Sequence, residues 1–495
     1  MTSVIVIGAG IGGITTAAHL AKRGYQVKVY EKNQRPGGRC DHFERAGHRF
    51  DTGPTLLIMP LVYEDEFRAL GVSFREVLEL RRVDPTYHLV FDDGSQLALS
   101  SDMNFMTGQL EAIEPGSSDG LARYLKEGER HYHLAMERLV NRDFRTAGDF
   151  FNVQNVPLLF QLQPLAPHYR HMGAYFKSER LKSAFTFQDV YMGLSPFKAP
   201  ATFSMMPYTE IAHGVWYPVG GMNRIVDVLM DIATAAGVEF EFGVEVEQIE
   251  IVGGRARAVI LEGGRRIAAD AVVANADLPY VYDKLLPDDD LAERLEQKQY
   301  SCSTISFFWG VDKAYPALNP HTLFLTDDYA ENFERIDHQQ PLQDTPSLYI
   351  HAPARLDPTA APPGEDTLIA IVPVGHLNGR GDEDWHSLMA DARQAVFKRL
   401  ELLGITDLAA HIKFEMCFNP QSWHHRYNLA KGATHGLSHT LMQLAYLRPH
   451  HQHARYPNMF FVGASTHPGT GVPSALISAH QVADHVVEVM QAVEV

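Results

Sequence analysis

The chain has 495 residues, 45% of them hydrophobic and 21% charged. That length exceeds the roughly 250–300 residues at which one hydrophobic core stops growing, so two structural units are expected and a small binding module is excluded. A formal net charge of -17, from 43 Lys+Arg against 60 Asp+Glu, disfavours attraction to phosphate backbones or anionic headgroups, so nucleic acid is not expected as a partner.

Residues Ser3 to Ile7 are a short apolar run rich in β-branched side chains, which predicts a buried parallel strand. A glycine-rich turn follows. Residues 14–22 suit a helix, with basic residues in the last turn and Gly24 at the position after its end. Tyr25, Val27 and Val29 then alternate with polar residues in a second strand ending at Glu31. The first 31 residues thus read as one βαβ unit.

Residues 155–176 hold Leu158-Leu159-Phe160 and Tyr175-Phe176, broken by Pro157, Pro164 and Pro167. The segment is expected either to lie against a membrane surface or to pack inside the protein. Between residues 244 and 276 three strand-like runs are separated by Gly253-Gly254 and Gly263-Gly264, an antiparallel meander leading into Ala-Val-Val-Ala-Asn-Ala. A further strand is predicted over 458–462, then a Gly/Pro-rich loop and a helix over 473–490 with proline at its first position.

The dinucleotide-binding unit is therefore expected to be discontinuous, over 1–75, 220–290 and 450–495. Residues 76–219 and 291–449 are assigned to a substrate domain. Cys40, Cys302 and Cys417 are too few and too scattered for a disulfide framework, which fits a reducing cytosol. The N-terminus lacks the features of a secretory signal, and no apolar run is long enough to span a bilayer. His424-His425 and the histidines of 449–453 have no partners at ligand spacing, so they are expected to be solvated and no metal is expected.

Gly8-Ala9-Gly10-Ile11-Gly12-Gly13 lies between strand and helix. Gly8 permits the tight turn, Gly10 lets a pyrophosphate approach the backbone, and Gly13 lets helix and strand pack closely. Glu31, 18 residues after Gly13, stands where a carboxylate accepts hydrogen bonds from a ribose, and an acid there disfavours NADP. No second GxGxxG follows, so a separate nicotinamide site is not expected.

Pro36-Gly37-Gly38-Arg39, Phe50-Asp51-Thr52-Gly53-Pro54-Thr55, Trp216-Tyr217-Pro218-Val219-Gly220-Gly221-Met222, Ala274-Asn275-Ala276-Asp277, Tyr349-Ile350-His351-Ala352-Pro353 and the loop from Gly463 to Pro473 extend the pattern along most of the chain. Together with the glycine turn, these segments resemble the amine-oxidase-like flavoproteins, and within them the bacterial-type phytoene desaturases of the carotenoid desaturase branch. The resemblance implies an α/β fold in which a discontinuous, Rossmann-like FAD-binding domain of the glutathione-reductase type carries an inserted α+β substrate domain. It implies FAD contacts at Gly37, Gly38, Arg39, Gly463, Thr466, Gly471 and Val472, an adenine contact at Val246, and a proton role for Asp149, whose plainer reading is a helix start.

The implied activity is dehydrogenation of a long isoprenoid such as phytoene or a later carotene, by hydride transfer to flavin N5. Oxygen or a quinone is the implied acceptor, and a peripheral membrane contact is implied by the lipid substrate. Carotenoid isomerisation, end-group oxygenation and amine oxidation share the fold, as do prenyl-binding escort proteins that lack FAD. The intact glycine set with Glu31 and Arg39 argues against the last, and the absence of a cysteine in the C-terminal loop removes one form of flavin attachment.

Overall fold

In the computed structural model, which describes residues 2–287, 289–377 and 382–494, the N-terminal residues form β1 (Ser3–Ile7), α1 (Ile11–Lys22) and β2 (Gln26–Glu31). The chain returns much later to the same sheet. Helix α2 (Arg224–Ala235) leads to β3 (Glu239–Phe242), a meander leads to β4 (Ala271–Ala274), and β5 (Met459–Phe461) precedes α3 (Val472–Glu494). All pairings are parallel, in the order β5-β4-β1-β2-β3.

The β-branched runs follow from burial on both faces. Val4, Val6, Val27, Val29 and Val273 pack beneath α1, α2 and α3. Their alternates Ile5, Ile7, Tyr30 and Val272 point the opposite way, into a second core shared with the meander. That meander is Val246–Val252, Arg255–Leu261 and Arg265–Ala268. Its first turn needs left-handed backbone at both central residues, supplied by Gly253 (φ 58°) and Gly254 (φ 72°).

A second sheet has seven strands, ordered Ile412–Phe418, Ser303–Val311, Asp366–Val374, Leu348–His351, His321–Phe324, Tyr87–Val90 and Gln96–Leu99. Its pairings are antiparallel except that His321–Phe324 runs parallel to Tyr87–Val90. Side chains alternate here too. Ile305, Phe307, Trp309, Leu368, Ala370 and Val372 enter a core that includes Trp385 and Leu388 of the helix Asp382–Glu401. Thr304, Ser306, Ile371 and Pro373 face the other way, into a cavity.

Three sequence expectations change. The histidines near residue 450 are not uniformly solvated: His451 is buried between the Asp143 carboxylate (3.2 Å) and the His467 carbonyl (2.6 Å), and His453 is buried as well. His424 and His425 are exposed as expected. The 155–176 segment divides by residue, since Leu158 and Phe176 are buried whereas Leu159, Phe160 and Leu165 are 53%, 77% and 75% exposed. Pro473 occupies the second position of α3, which begins at Val472. Further, His19 of α1 and His480 of α3 both bond the carboxylate of Glu66, on the helix Pro60–Ala69. That clasp joins three helices over the first sheet.

Candidate cofactor cradle and apolar cavity

The strand order reverses beside β1, where the chain runs outward to β2 and β3 on one side and later to β4 and β5 on the other. Such a switch point leaves a crevice at the carboxyl ends of the strands. Gly8 lies there with φ 98°. Helix α1 starts at an N-cap Gly10 with no side-chain cap and no acid in its first turn, so its free amides are left for an external anion.

The glycines are demanded by space. A Cβ on Gly13 would lie 2.1 Å from the Gly8 carbonyl oxygen, and one on Gly10 would lie 2.7 Å from Asn275 Oδ1. The second glycine segment is tied to the first, because Gly37 N–H donates to the Ala9 carbonyl (2.8 Å). Gly37 and Gly38, with φ 115° and 55°, then turn the chain so that Arg39 lines the same cavity. The Arg39 guanidinium donates to the Thr434 carbonyl at 2.9 Å.

Glu31 ends β2 at the crevice. Its Oε2 accepts the Ala9 amide (2.8 Å), while Oε1 accepts the Asn33 amide and side-chain N–H groups, each at 2.8 Å. Val246 lines the wall nearby, and Val244 N–H donates to the Glu31 carbonyl at 3.0 Å.

The C-terminal loop is anchored from below by Arg448, which is fully buried. Its guanidinium donates to the carbonyls of Thr466 (2.8 Å), Ala464 (2.5 Å), Ser438 (2.9 Å), Gln443 (3.0 Å) and Leu437 (3.0 Å). Burial lowers its pKa to about 9. No motif announced this residue; an arginine ahead of a histidine-rich stretch reads as surface. Gly463, Gly471 and Val472 line the cavity, whereas Thr466 and Gly13 support it from behind.

Two other recognised segments position the wall. The Asp51 carboxylate accepts the amides of Met222 (3.0 Å) and Asn223 (3.2 Å), which holds the Gly220-Gly221 turn, and burial pushes its pKa up to about 6. Tyr349 bonds Thr55 Oγ1 (2.8 Å) and His321 Nδ1 (2.6 Å) through its hydroxyl. The rings of His321 and His351 stack at 4.7 Å, and burial pushes both pKa values down, so both are neutral.

Asp149 is not brought to this site. It is exposed at the start of the helix Ala147–Phe150, where it closes a capping box by accepting the Thr146 amide at 2.7 Å. That hydrogen bond holds its carboxyl below the ordinary value. Residues missing from the sequence reading are Tyr87 and Tyr191, which line the cavity with their hydroxyls against a buried carboxylate, Glu210.

Cradle and cavity are continuous. The cavity volume is about 480 Å³, within the roughly 300–1,000 Å³ of a typical small-molecule site. Beyond the glycine segments its wall becomes apolar, with Leu56, Ile58, Phe187, Leu323 and Ile371.

A profile described as "Flavin containing amine oxidoreductase" matches residues 11–487. The chain is 40% identical to a phytoene desaturase of Fusarium fujikuroi over 510 residues, covering 98% of this chain and 89% of that protein. A zeta-carotene-forming phytoene desaturase of Myxococcus xanthus is also 40% identical, with 97% and 93% covered. A solved putrescine oxidase superposes with a TM-score of 0.66 at 14% identity, covering 98% of this chain and 99% of that one, a likeness of fold alone. By the extent of these matches, and with a glycine cradle, an uncapped helix start and a strand-end acid in place, this chain belongs to the flavin-containing amine oxidoreductases and is an FAD-dependent oxidoreductase.

Proposed function

We propose that this chain dehydrogenates a long isoprenoid, phytoene or a later carotene. The observation that carries this reading is an apolar-walled cavity continuous with a dinucleotide cradle, in a chain whose relatives are named phytoene desaturases. The residues proposed to hold FAD are Gly8, Gly10, Glu31, Gly37, Gly38, Arg39, Val246, Gly463, Gly471 and Val472, with Gly13 and Thr466 supporting them. The proposed FAD domain is 1–75, 220–290 and 450–495, and the proposed substrate domain is 76–219 and 291–449. Residues near Asn428 and Thr434 also reach the cradle, since Asn428 Oδ1 accepts from Lys32 Nζ at 2.5 Å.

Bound FAD would supply the two-electron oxidant, taking hydride from one allylic carbon as the neighbouring carbon loses a proton. The chain's own part is to hold a flexible polyene in line and exclude water, which the apolar wall favours by burying hydrocarbon at about 25 cal/mol per Å². Oxygen or a quinone is the proposed final acceptor.

Contact with a membrane surface is also proposed. Leu159, Phe160 and Leu165 join exposed Phe151 and Val153 on one short stretch of chain, and contiguous exposed apolar residues mark an interaction surface. Among the described residues no helix is long and apolar enough to cross a bilayer.

Anaerobic mixing with a linear carotene in liposomes is expected to bleach the visible flavin band and yield product two hydrogens lighter per step. NADPH alone is expected to leave the band intact. Rapid bleaching by NADPH without carotene would count against the proposal.

A further inference from the structure

Desaturation leaves a proton to be placed, and Asp149 lies outside the cavity. Behind the cavity wall lies a different carboxyl. Glu210, on the helix Met205–Ala212, is 4% exposed. Its Oε1 accepts the hydroxyls of Tyr191 (2.9 Å) and Tyr87 (3.4 Å), and its Oε2 accepts Gln188 Nε2 (3.0 Å). The two tyrosine hydroxyls also contact each other, and both rings line the cavity beside Phe187 and Val190.

No cation stands among these partners. Of the elements packed around Glu210, the helix Ser117–Ala135 contributes Tyr124, which feels the Glu210 charge, and His131. The His131 ring bonds Ser204 and the Gln161 carbonyl, and burial holds it neutral at about 4. Next to Gln188, Asp189 is paired with His168. His321, whose ring lies 5.9 Å from that of Tyr87, is neutral. Burial therefore acts on Glu210 unopposed by positive charge and pushes its carboxyl up to about 7. The phenols of Tyr87 and Tyr191 are pushed well above 10 by the same burial, so they relay protons rather than store them.

A buried carboxylate without a cation is costly, and an apolar residue of similar size would remove that cost. Its position directly behind two cavity-lining hydroxyls points to use. Resting on the desaturase reading above, we propose that Glu210, acting through Tyr191 and Tyr87, receives the proton that leaves the substrate as each double bond forms. The C–H bond breaks and its electron pair becomes the new π bond as hydride departs from the neighbouring carbon to FAD. The proton joins the hydroxyl oxygen of Tyr191, whose own hydrogen passes to Glu210 Oε1. The carboxylate becomes a carboxylic acid, the polyene is oxidised and FAD is reduced. Tyr191 and Tyr87 touch the cavity, and Glu210 is a positioning and proton-holding residue behind them.

The test uses the FAD-loaded full chain and its Glu210→Gln and Tyr191→Phe variants, with FAD content checked to be equal. In the parent, turnover is expected to rise with pH through about 7, as the carboxyl ionises. Glu210→Gln keeps the shape and an acceptor for both tyrosines, so a purely structural role would leave the pH profile unchanged. Loss of a general base predicts instead a fall of about 100-fold or more in turnover with the rising limb gone. Tyr191→Phe is expected to lower turnover while the carboxyl still titrates. Infrared difference spectra give a readout independent of turnover: the protonated-carboxyl C=O stretch should titrate near 7 in the parent and in Tyr191→Phe, and vanish in Glu210→Gln. The proposal is overturned if Glu210→Gln keeps the parent's rate and profile, or if that stretch never titrates. If the parent forms no desaturated product from any linear carotene, the functional reading falls and this proposal with it.

Discussion

Glu31 uses both carboxylate oxygens within the protein, one on Ala9 of the glycine turn and one on Asn33. The sequence placed it at a strand end as a ribose acceptor, and the structure adds that the same group fixes the turn's shape. Glu31→Ala is therefore expected to weaken FAD binding roughly ten- to hundredfold, because a hydrogen bond to a charged group contributes about 1.5–3 kcal/mol. Glu31→Gln should lose less. Retention of flavin colour through dialysis measures both. Asp149→Asn is expected to leave turnover and FAD content unchanged, since its carboxylate caps an exposed turn. Glu210 makes a further prediction about stability. Its folded pKa, about 7, lies above its ordinary 4.5, so its contribution is fully present below 4.5 and is lost as pH rises through 7. That loss is roughly 3 kcal/mol. Glu210→Gln should thus melt at a higher temperature than the parent above pH 7 and show a flatter dependence on pH.

At the scale of elements, the strand–turn–helix entry was legible because three constraints coincide: a doubly buried strand, a turn with positive φ and a helix start needing an anion. Gly13→Ala tests the packing constraint by itself, since the added Cβ would lie 2.1 Å from the Gly8 carbonyl oxygen, an atom fixed by the backbone. The variant is expected to lose FAD on purification and to unfold at a lower temperature. Retention of FAD at the parent's level would show that α1 can shift. The meander's glycine turns were equally legible. The clasp of His19, Glu66 and His480 was not, because its members lie on three helices and no local pattern links residue 66 to residue 480.

For the whole molecule, the proposed membrane contact rests on the surface stretch around Leu159. The sequence could not separate Leu158 from its neighbours, yet the structure buries Leu158 and exposes Leu159 and Phe160. Leu159→Asp with Phe160→Asp is accordingly expected to fold normally and to lose liposome flotation. Substitution of Leu158 would damage the core instead. Binding by the parent should depend weakly on salt, because a net charge of -17 leaves apolar contact as the attraction. Unchanged flotation of the double variant would remove this surface from the account.

The βαβ unit, the FAD motifs and the family were decided by the sequence alone, because each rests on neighbours in the chain or on glycines that tolerate no substitute. The groups proposed for the site's chemistry meet only in the tertiary structure. Glu210 lies on a helix where an acid reads as solvated, and only the meeting of Tyr87 with Tyr191 and Gln188, from two segments outside its own helix, makes it a buried acid behind the cavity wall. Arg448 likewise becomes an anchor only when five carbonyls of two loops converge on it. Asp149 is the converse, singled out in the sequence and turned to solvent by the fold. The difference is physical: burial sets a side chain's charge state and reach, and burial is created by segments far apart in the chain.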